Sequence, residues 1–393
     1  MNTSILNTEI QEFIENNINS DTTALILKGT SFPHVNTLEI VEQIEAKKRC
    51  EKKLPTWFSA KNIYYPNKLN IEQTSSEATA KYKARLVEGD SLIDLTGGFG
   101  VDCFYFSKRI EQVTHCELNS HLSEIVAYNF KQLNTKNITC YAKDGIEILK
   151  SSEQLFDWIY VDPSRRNAIK GKIFLLKDCL PNVPQFLELF FKQAKQVMIK
   201  TSPLLDISSG INELQAVKAI HIVAINNEVK ELLWLLDPDF KGSIEIKTIN
   251  IQKESEAHFN FYLNEESEAT SSLSKPLSYL YEPNAAILKA GAFEILAEKL
   301  QLKKLHKHSH LYTSEKLMEF PGRRFEVEQV SAYNKKQFKR QLKMTKANVT
   351  TRNFPETVQQ IREKLALKDG GNDYLFFTTD LNNNKIIIAT KKV

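Results

Sequence analysis

One short run limits the fold of this chain more than any other: Leu92-Ile93-Asp94-Leu95-Thr96-Gly97-Gly98-Phe99-Gly100-Val101-Asp102. An apolar strand ends in a carboxylate, and a glycine-rich turn carries the backbone into a helix. Glycine belongs in such a turn because the backbone must approach a ligand closely and take conformations that a Cβ opposes. A strand, a tight turn and a helix open a βα unit, and a parallel sheet follows from a series of them. Read as GxGxxG, Gly98-x-Gly100 has Cys103 where a third Gly or Ala belongs, so dinucleotide binding fits it poorly. Alone, the run is equally an ordinary tight turn.

The rest of the chain extends the pattern. From Ile5 to about Val87, apolar residues recur at helical spacing, with a helix expected from about Ser75 to Leu86, capped by Ser75 or Ser76. Short apolar strands are expected at Ser91–Leu95, Val113–Glu117, Ile138–Ala142, Trp158–Val161 and Gln196–Lys200, with helical patterns at Leu122–Leu133 and Val183–Gln193 between them. Ala219–Ile225, Ser243–Ile249 and His258–Tyr262 finish the sheet with an antiparallel edge. Glu265–Ser274 reads as a Glu- and Ser-rich linker. Beyond it lie a helix at Ala285–Leu300, a basic stretch and a hairpin of Tyr374–Thr378 and Lys385–Thr390. The 393 residues thus suit a helical region at 1–88, an α/β domain at 89–265 and an α+β domain at 276–393.

Five scattered cysteines without a CxxC fit reduced, buried thiols in a cytosolic protein. The residues after Met1 are polar and acidic, unlike a signal peptide, and apolar runs such as Leu232–Leu236 are too short to span a bilayer. A soluble cytoplasmic protein with no membrane partner is expected. Nothing in the sequence sets an oligomeric state.

The company kept by the glycine turn gives it meaning. The second strand ends at Glu117, placed to accept hydrogen bonds from both hydroxyls of a ribose or to sit as a solvated acid at a helix start. The third ends before Asp144, an acceptor for an adenine amino group or a plain N-cap. The fourth runs into Asp162-Pro163-Ser164-Arg165-Arg166, and the fifth into Lys200-Thr201-Ser202-Pro203. All lie at the carboxyl edge of the sheet, where doubly wound folds bind ligands.

Asp94 to Asp102, Glu117, Asp144 and Asp162-Pro163 resemble the successive motifs of class I S-adenosylmethionine (SAM) dependent methyltransferases. Glu72-Gln73-Thr74-Ser75-Ser76-Glu77, Lys200-Thr201-Ser202-Pro203, Tyr281-Glu282-Pro283 and Phe320-Pro321-Gly322-Arg323 are similar to a bacterial group of methyltransferases that ends in a THUMP-like domain. The likeness covers most of the chain, and the N-terminal region matches least. It implies an α/β fold: a doubly wound, Rossmann-like methyltransferase sheet, preceded by a helical region and followed by a smaller α+β THUMP-like domain. It implies SAM as cofactor, held by Asp94, Thr96, Gly98, Gly100, Asp102, Glu117 and Asp144, with the fourth motif facing the methyl acceptor.

That motif departs from the family. Amino-group methyltransferases have Asp/Asn-Pro-Pro and an aromatic there, whereas this chain has Asp162 and Pro163 followed by Ser164 and Arg165. Asp162 is expected to orient the acceptor, with Arg165 or Arg166 gripping an anionic or planar part of it; structural ion pairs are the other use of these arginines. Lys200 and Thr201 either line the acceptor pocket or form a plain strand exit, and Asn227-Glu228-Val229-Lys230-Glu231 is equally open. His306-x-His308-x-His310 would project from one side of a strand and suits a solvated basic edge better than a metal site, so no metal is expected. Lys335, Lys336, Lys339, Arg340, Lys343, Lys346 and Arg352, interleaved with Tyr333, Phe338 and Phe354, suit either RNA or a solvated helix face. With THUMP domains usually binding RNA, an RNA methyltransferase of tRNA or rRNA is the leading expectation. A protein or small-molecule methyltransferase and an inactive RNA-binding relative are the alternatives.

Overall fold

A computed structural model describes residues 1–165, 175–335, 338 and 344–393, the side chain of Arg165 excepted. The chain packs as two compact units, Met1–Lys218 with Leu232–Lys241, and Ala219–Glu231 with Gly242–Val393.

The first unit starts with helices α1 (Thr8–Asn16), α2 (Thr22–Lys28), α3 (Thr37–Lys53), α4 (Pro55–Ser59), α5 (Lys68–Gln73) and α6 (Glu77–Ala84). Side-chain caps start most of them: Asn7, Asp21 and Asn67 each accept a first-turn N–H, and Asn36 and Glu39 close a capping box. Ser76 caps α6 through the Thr79 N–H, which leaves Ser75 free for another task. The strands β1 (Gly89–Asp94), β2 (Ile110–Cys116), β3 (Ile138–Tyr141), β4 (Phe156–Val161) and β7 (Ala194–Thr201) lie within a few residues of their expected places. They alternate with α7 (Val101–Phe106), α8 (Ser120–Gln132), α9 (Gly145–Ser151) and α10 (Val183–Gln193), and α11 (Ile207–Glu213) follows. Between β4 and β7, Ser164–Arg165 (β5) and Cys179–Leu180 (β6) form a two-residue antiparallel ladder.

The strand order in this unit is β9-β7-β4-β1-β2-β3, parallel except where Leu232–Leu236 of β9 (Glu228–Leu236) runs antiparallel to β7. β9 was not among the expected strands. Asn226 and Asn227 both take left-handed conformations, φ +50° and +65°, as a tight hairpin turn requires, and Glu228–Glu231 is simply the start of the strand that follows. Leu232, Leu233, Trp234 and Leu236 are all buried, so the run has none of the alternation that marks a half-exposed strand.

Helices and sheet of this unit share one core. Trp57 of α4 meets Phe104 of α7 edge-on at 4.9 Å and lies 6.1 Å from Phe99 in the glycine turn. Buried Glu77 accepts hydrogen bonds from the Thr56 amide and hydroxyl and from the Tyr105 hydroxyl, joining three helices. Deepest is an ion pair: Lys83 of α6, fully buried, lies 3.1 Å from Asp102 of α7. Ser75 and Tyr160 each donate a 2.8 Å hydrogen bond to the same carboxylate, and Lys83 also donates to Ser75.

In the second unit β8 (Val217–Ile225), through Ala219–Ile225, is parallel to β10 (Glu245–Ile251), and β11 (Glu256–Tyr262) is antiparallel to β10, the antiparallel edge expected. The expected linker instead begins with a helix, α12 (Leu263–Glu268). Its acids have structural work: Glu266 accepts the N–H groups of Phe293, Glu294 and Ile295, capping the start of another helix. The expected single helix at Ala285–Leu300 is two, α13 (Ala285–Ala290) and α14 (Glu294–Lys299), broken at Gly291 with φ +71°.

The remaining strands are β12 (Tyr279–Pro283), β13 (Lys303–Lys304), β14 (Tyr312–Ser314), β15 (Gly322–Ala332), β16 (Asn348–Arg352), β17 (Asp373–Thr379) and β18 (Lys385–Lys392). Their sheet has the order β13-β14-β12-β15-β18-β17-β16, and β17 and β18 are the closing hairpin expected from sequence. Alternate residues feed separate cores: Phe376 and Ile388 pack with Leu280 and Phe325, whereas Phe377 and Ile387 pack with Phe338 and Ile361. Glu282 on β12 takes both Arg323 of β15 and Arg352 of β16. His306, His308 and His310 follow β13 in a turn rather than lying on a strand. The ring of His306 bonds Asn383 and Asn353. Among the described residues there is no cluster of three metal-ligating side chains, and no helix is long and apolar enough to cross a membrane.

Replacing Lys83 with Ala leaves the Asp102 carboxylate buried without its ammonium. A loss of about 3–5 kcal/mol is expected in urea unfolding.

Candidate active site

Strand register builds the site. Asp94 ends β1 with His115 of β2 and Tyr160 of β4 as its neighbours. Past it the chain is held on both sides, by Leu95 N–H on the Tyr160 carbonyl at 3.0 Å and Gly97 N–H on the Cys116 carbonyl at 2.8 Å. The turn then rises over the edge of the sheet. Gly98 (φ +54°) and Gly100 (φ +77°) are left-handed. They differ in surroundings: a Cβ on Gly100 would lie 2.6 Å from Phe130 and 2.8 Å from Val126 of α8, whereas one on Gly98 would meet nothing nearer than 3.8 Å. Gly100 is a packing glycine, and Gly98 borders open space.

Asp94 is buried, and burial pushes its carboxyl up to about 7 against the opposing pull of hydrogen bonds from the Thr96 amide and the Cys103 thiol. Glu117 accepts the Gly98 N–H at 3.0 Å and the Asn119 N–H at 2.7 Å, so it touches the glycine turn directly. Asp144 accepts the Ile146 N–H at 2.7 Å as the N-cap of α9. Thr96 joins the two halves of the edge: its amide donates to Asp94, and its hydroxyl accepts the Asp162 N–H at 2.7 Å. Asp162 in turn holds Lys200 through Oδ2. Cys103, Asp94, Thr96, Asp162 and Lys200 thus form one chain of contacts along the edge.

Two residues expected at this edge are committed elsewhere. Asp102 is held below the usual carboxylate range: burial works against its charge, and Lys83, Lys200, Ser75 and Tyr160 outweigh it. Thr201 is buried and accepts a hydrogen bond from the Trp234 indole. Pro163 is buried beside partly exposed Asp162, and Ser164 is exposed on β5. Arg165 contributes backbone to β5, while Arg166, Lys339 and Arg340 lie outside the described residues.

Two residues of the turn's surroundings were not expected from sequence. His115 is fully buried under the turn, its Nε2 3.3 Å from the Gly98 carbonyl, and burial pushes its ring down to about 4, so it is neutral. A Cβ on Gly97 would fall 2.2 Å from this ring. Gly145 would place a Cβ 2.4 Å from the Leu95 carbonyl, which explains a glycine at the first position of α9. The Asp144-Gly145 pair was the available signal; His115 had none. The basic stretch also reads differently. Phe338 is core, and Tyr333 packs edge-on with Phe354 and Phe377 at 4.9 and 5.8 Å, so these rings are not free stacking platforms.

Comparison with known proteins gives the chain's family. Residues 279–321 match a ferredoxin-like domain family and residues 322–392 a THUMP domain-like family. The crystal structure of a putative methyltransferase from Porphyromonas gingivalis W83 is 30% identical, with a TM-score of 0.90 over 98% of either chain. The chain belongs to this methyltransferase family. An rRNA methylase from Streptococcus thermophilus aligns over 41% of this chain and 94% of its own at 12% identity and TM-score 0.30. A putative methyltransferase from Streptococcus mutans, in complex with SAH, aligns over 41% and 96% at the same identity and TM-score. No curated protein sequence matches the chain.

The raised value at Asp94 has a sign that can be measured. The folded-state carboxyl, at about 7, lies above the unfolded value of about 4, so the group's contribution to stability is complete below about pH 4 and lost as pH rises through 7. Urea unfolding at pH 5 and pH 8 should show wild type losing more stability over that interval than Asp94→Asn.

Proposed function

We propose that this chain is a SAM-dependent methyltransferase with RNA as acceptor, residues 89–265 holding the cofactor and residues 276–393 docking the nucleic acid. The observation that carries this reading is the continuous edge from Asp94 through Thr96 to Asp162, with Glu117 against the glycine turn. The residues present fit the cofactor: Gly98 is left-handed beside open space where any side chain would intrude, and Glu117 reaches that same turn. Glu117 holds the ribose hydroxyls, Asp144 the adenine end, and Asp94, Thr96, Gly98 and Gly100 shape the methionine end. Asp102 supports them through Lys83 instead of touching the ligand.

When bound, SAM supplies a methyl group on a sulfonium, and the protein's task is alignment, worth on the order of 7–11 kcal/mol of barrier. Asp162 orients the acceptor, with Pro163 and Ser164 shaping the wall beside it. Arg165 and Arg166 grip an anionic or planar part of the substrate, and Lys200 lines the same pocket. Thr201 acts from behind by fixing Trp234.

Support for RNA comes from the THUMP-like match at 322–392 and from the local run of basic residues around Lys339 and Arg340. Asp162→Ala should abolish methyl transfer from labelled SAM to RNA of cells lacking the protein while SAM affinity stays within a few-fold by calorimetry. Glu117→Ala should weaken SAM about ten-fold or more, the scale of a lost charge-assisted pair of hydrogen bonds. Equal loss of SAM binding in both variants would remove Asp162 from the acceptor side. RNA affinity should fall steeply with salt, and charge reversal at Lys339 and Arg340 should weaken all RNA sequences alike.

A further inference from the structure

In a SAM-dependent RNA methyltransferase, the function proposed for this chain and the basis of the inference, the ion pair between Asp162 and Lys200 bears on the chemistry of the acceptor. Asp162 stands at the end of β4, and Lys200 on the neighbouring strand β7, with Val161 of β4 paired to Ile199 of β7. Lys200 bonds Oδ2 of Asp162. The other oxygen, Oδ1, has no hydrogen bond or ion pair among the described residues, and the side chain is one-third exposed, 34%, against 14% for Lys200. The Asp162 backbone is fixed independently by its N–H bond to Thr96. Among the described residues, a carboxylate oxygen is thus left beside an ammonium that Asp162 neutralises and that Asp102 of α7 also faces.

That charge balance separates acceptors. A neutral amine that takes a methyl group builds positive charge on its nitrogen. A lone carboxylate favours this; a carboxylate paired with an ammonium does not, because at short range the two fields largely cancel. Hydrogen bonding alone does not discriminate, since an amidine edge and a lactam edge both offer a donor to Oδ1 and an acceptor to Nζ. Charge does. A hydroxyl or a lactam N–H must shed its proton to become a good nucleophile, and the negative charge then left on oxygen is stabilised by Lys200.

We infer that Lys200 and Asp162 together select an acceptor that reacts as an anion, a ribose hydroxyl oxygen or a lactam ring nitrogen, and disfavour exocyclic amines. The step balances without a further reagent. The acceptor proton passes to Oδ1 of Asp162 and then to solvent. The acceptor's electron pair forms the new bond to the methyl carbon, and the carbon–sulfur bond breaks with its pair remaining on sulfur as the thioether. Lys200 stays protonated throughout and acts as a catalytic residue, holding the Asp162 carboxylate and stabilising the developing oxyanion.

The probe is total RNA from cells lacking the protein, methylated by the full-length protein with labelled SAM, digested to nucleosides and resolved by mass spectrometry. Label in a 2′-O-methyl nucleoside, 1-methylguanosine or 3-methyluridine supports the inference and distinguishes its two sources. Label in an N6-methyladenosine, N4-methylcytidine or N2-methylguanosine overturns it while leaving the methyltransferase reading intact. RNA that takes no label overturns the RNA reading, and this inference falls with it. On the labelled RNA, Lys200→Met should lower kcat/KM by about 100-fold at neutral pH, the scale of removing one charge-stabilising donor. Its rate profile should rise at a pH higher by about one unit or more. Lys200→Arg should restore most of that shift, and SAM affinity should stay within a few-fold in both variants. A profile whose midpoint does not move in Lys200→Met assigns the lysine a merely structural role.

Discussion

The buried pair of Lys83 and Asp102 is the constraint on which the first unit turns. It joins α6, from the helical N-terminal region, to α7, the helix that leaves the glycine turn, and through Tyr160 it reaches β4. Such a pair is costly to assemble, since two charges leave water, and it persists only with partners on the remaining donor and acceptor positions. Ser75 and Tyr160 are those partners. Holding α7 at its first turn fixes where the glycine turn ends, and that sets the position of Gly98 relative to Glu117. The N-terminal helices therefore belong to the architecture of the edge as much as the sheet does. Trp57 and Glu77 act in the same way, one packing on Phe104 and Phe99, the other gathering Thr56 and Tyr105.

Electrostatics along the edge divide its carboxylates by use. Asp102 is surrounded by positive charge and hydroxyl donors and stays ionised. Asp94, where burial outweighs the Thr96 and Cys103 donors and Asp102 and Asp162 add like charge, holds its proton to higher pH. Two acids eight residues apart on one turn thus differ because of their surroundings and not their kind. His115 completes the floor as a neutral ring, because burial costs a charged ring more than the backbone groups beside it return.

Much of this was legible in sequence for a physical reason. A parallel sheet buried on both faces writes itself as short apolar runs, and each turn after a strand must expose whatever chemistry the fold offers. Asp94, Glu117, Asp144, Asp162 and Lys200 could be placed by counting strand ends. Tertiary choices could not. Whether Asp102 faced the open side or the core depended on Lys83, which in sequence is one lysine among several on a helix. β9 was hidden because both its faces are buried and it follows a turn of two asparagines. The Glu-rich stretch at Glu265 looked like a linker because sequence shows the charge and not the helix start it caps.

Glu282 carries a consequence for how the chain is made. Its carboxylate is buried on β12, and one of its two guanidinium partners, Arg352, is 70 residues further along. During synthesis the early strand therefore waits with an acid that only Arg323 can meet until Arg352 has been made. The contact is non-local, and closure of such sheets is slow because a long loop must be ordered before the reward arrives. The second unit can close only after Arg352 and β18 have been made, so a nascent chain carries the finished edge of the first sheet well before it carries a finished second unit.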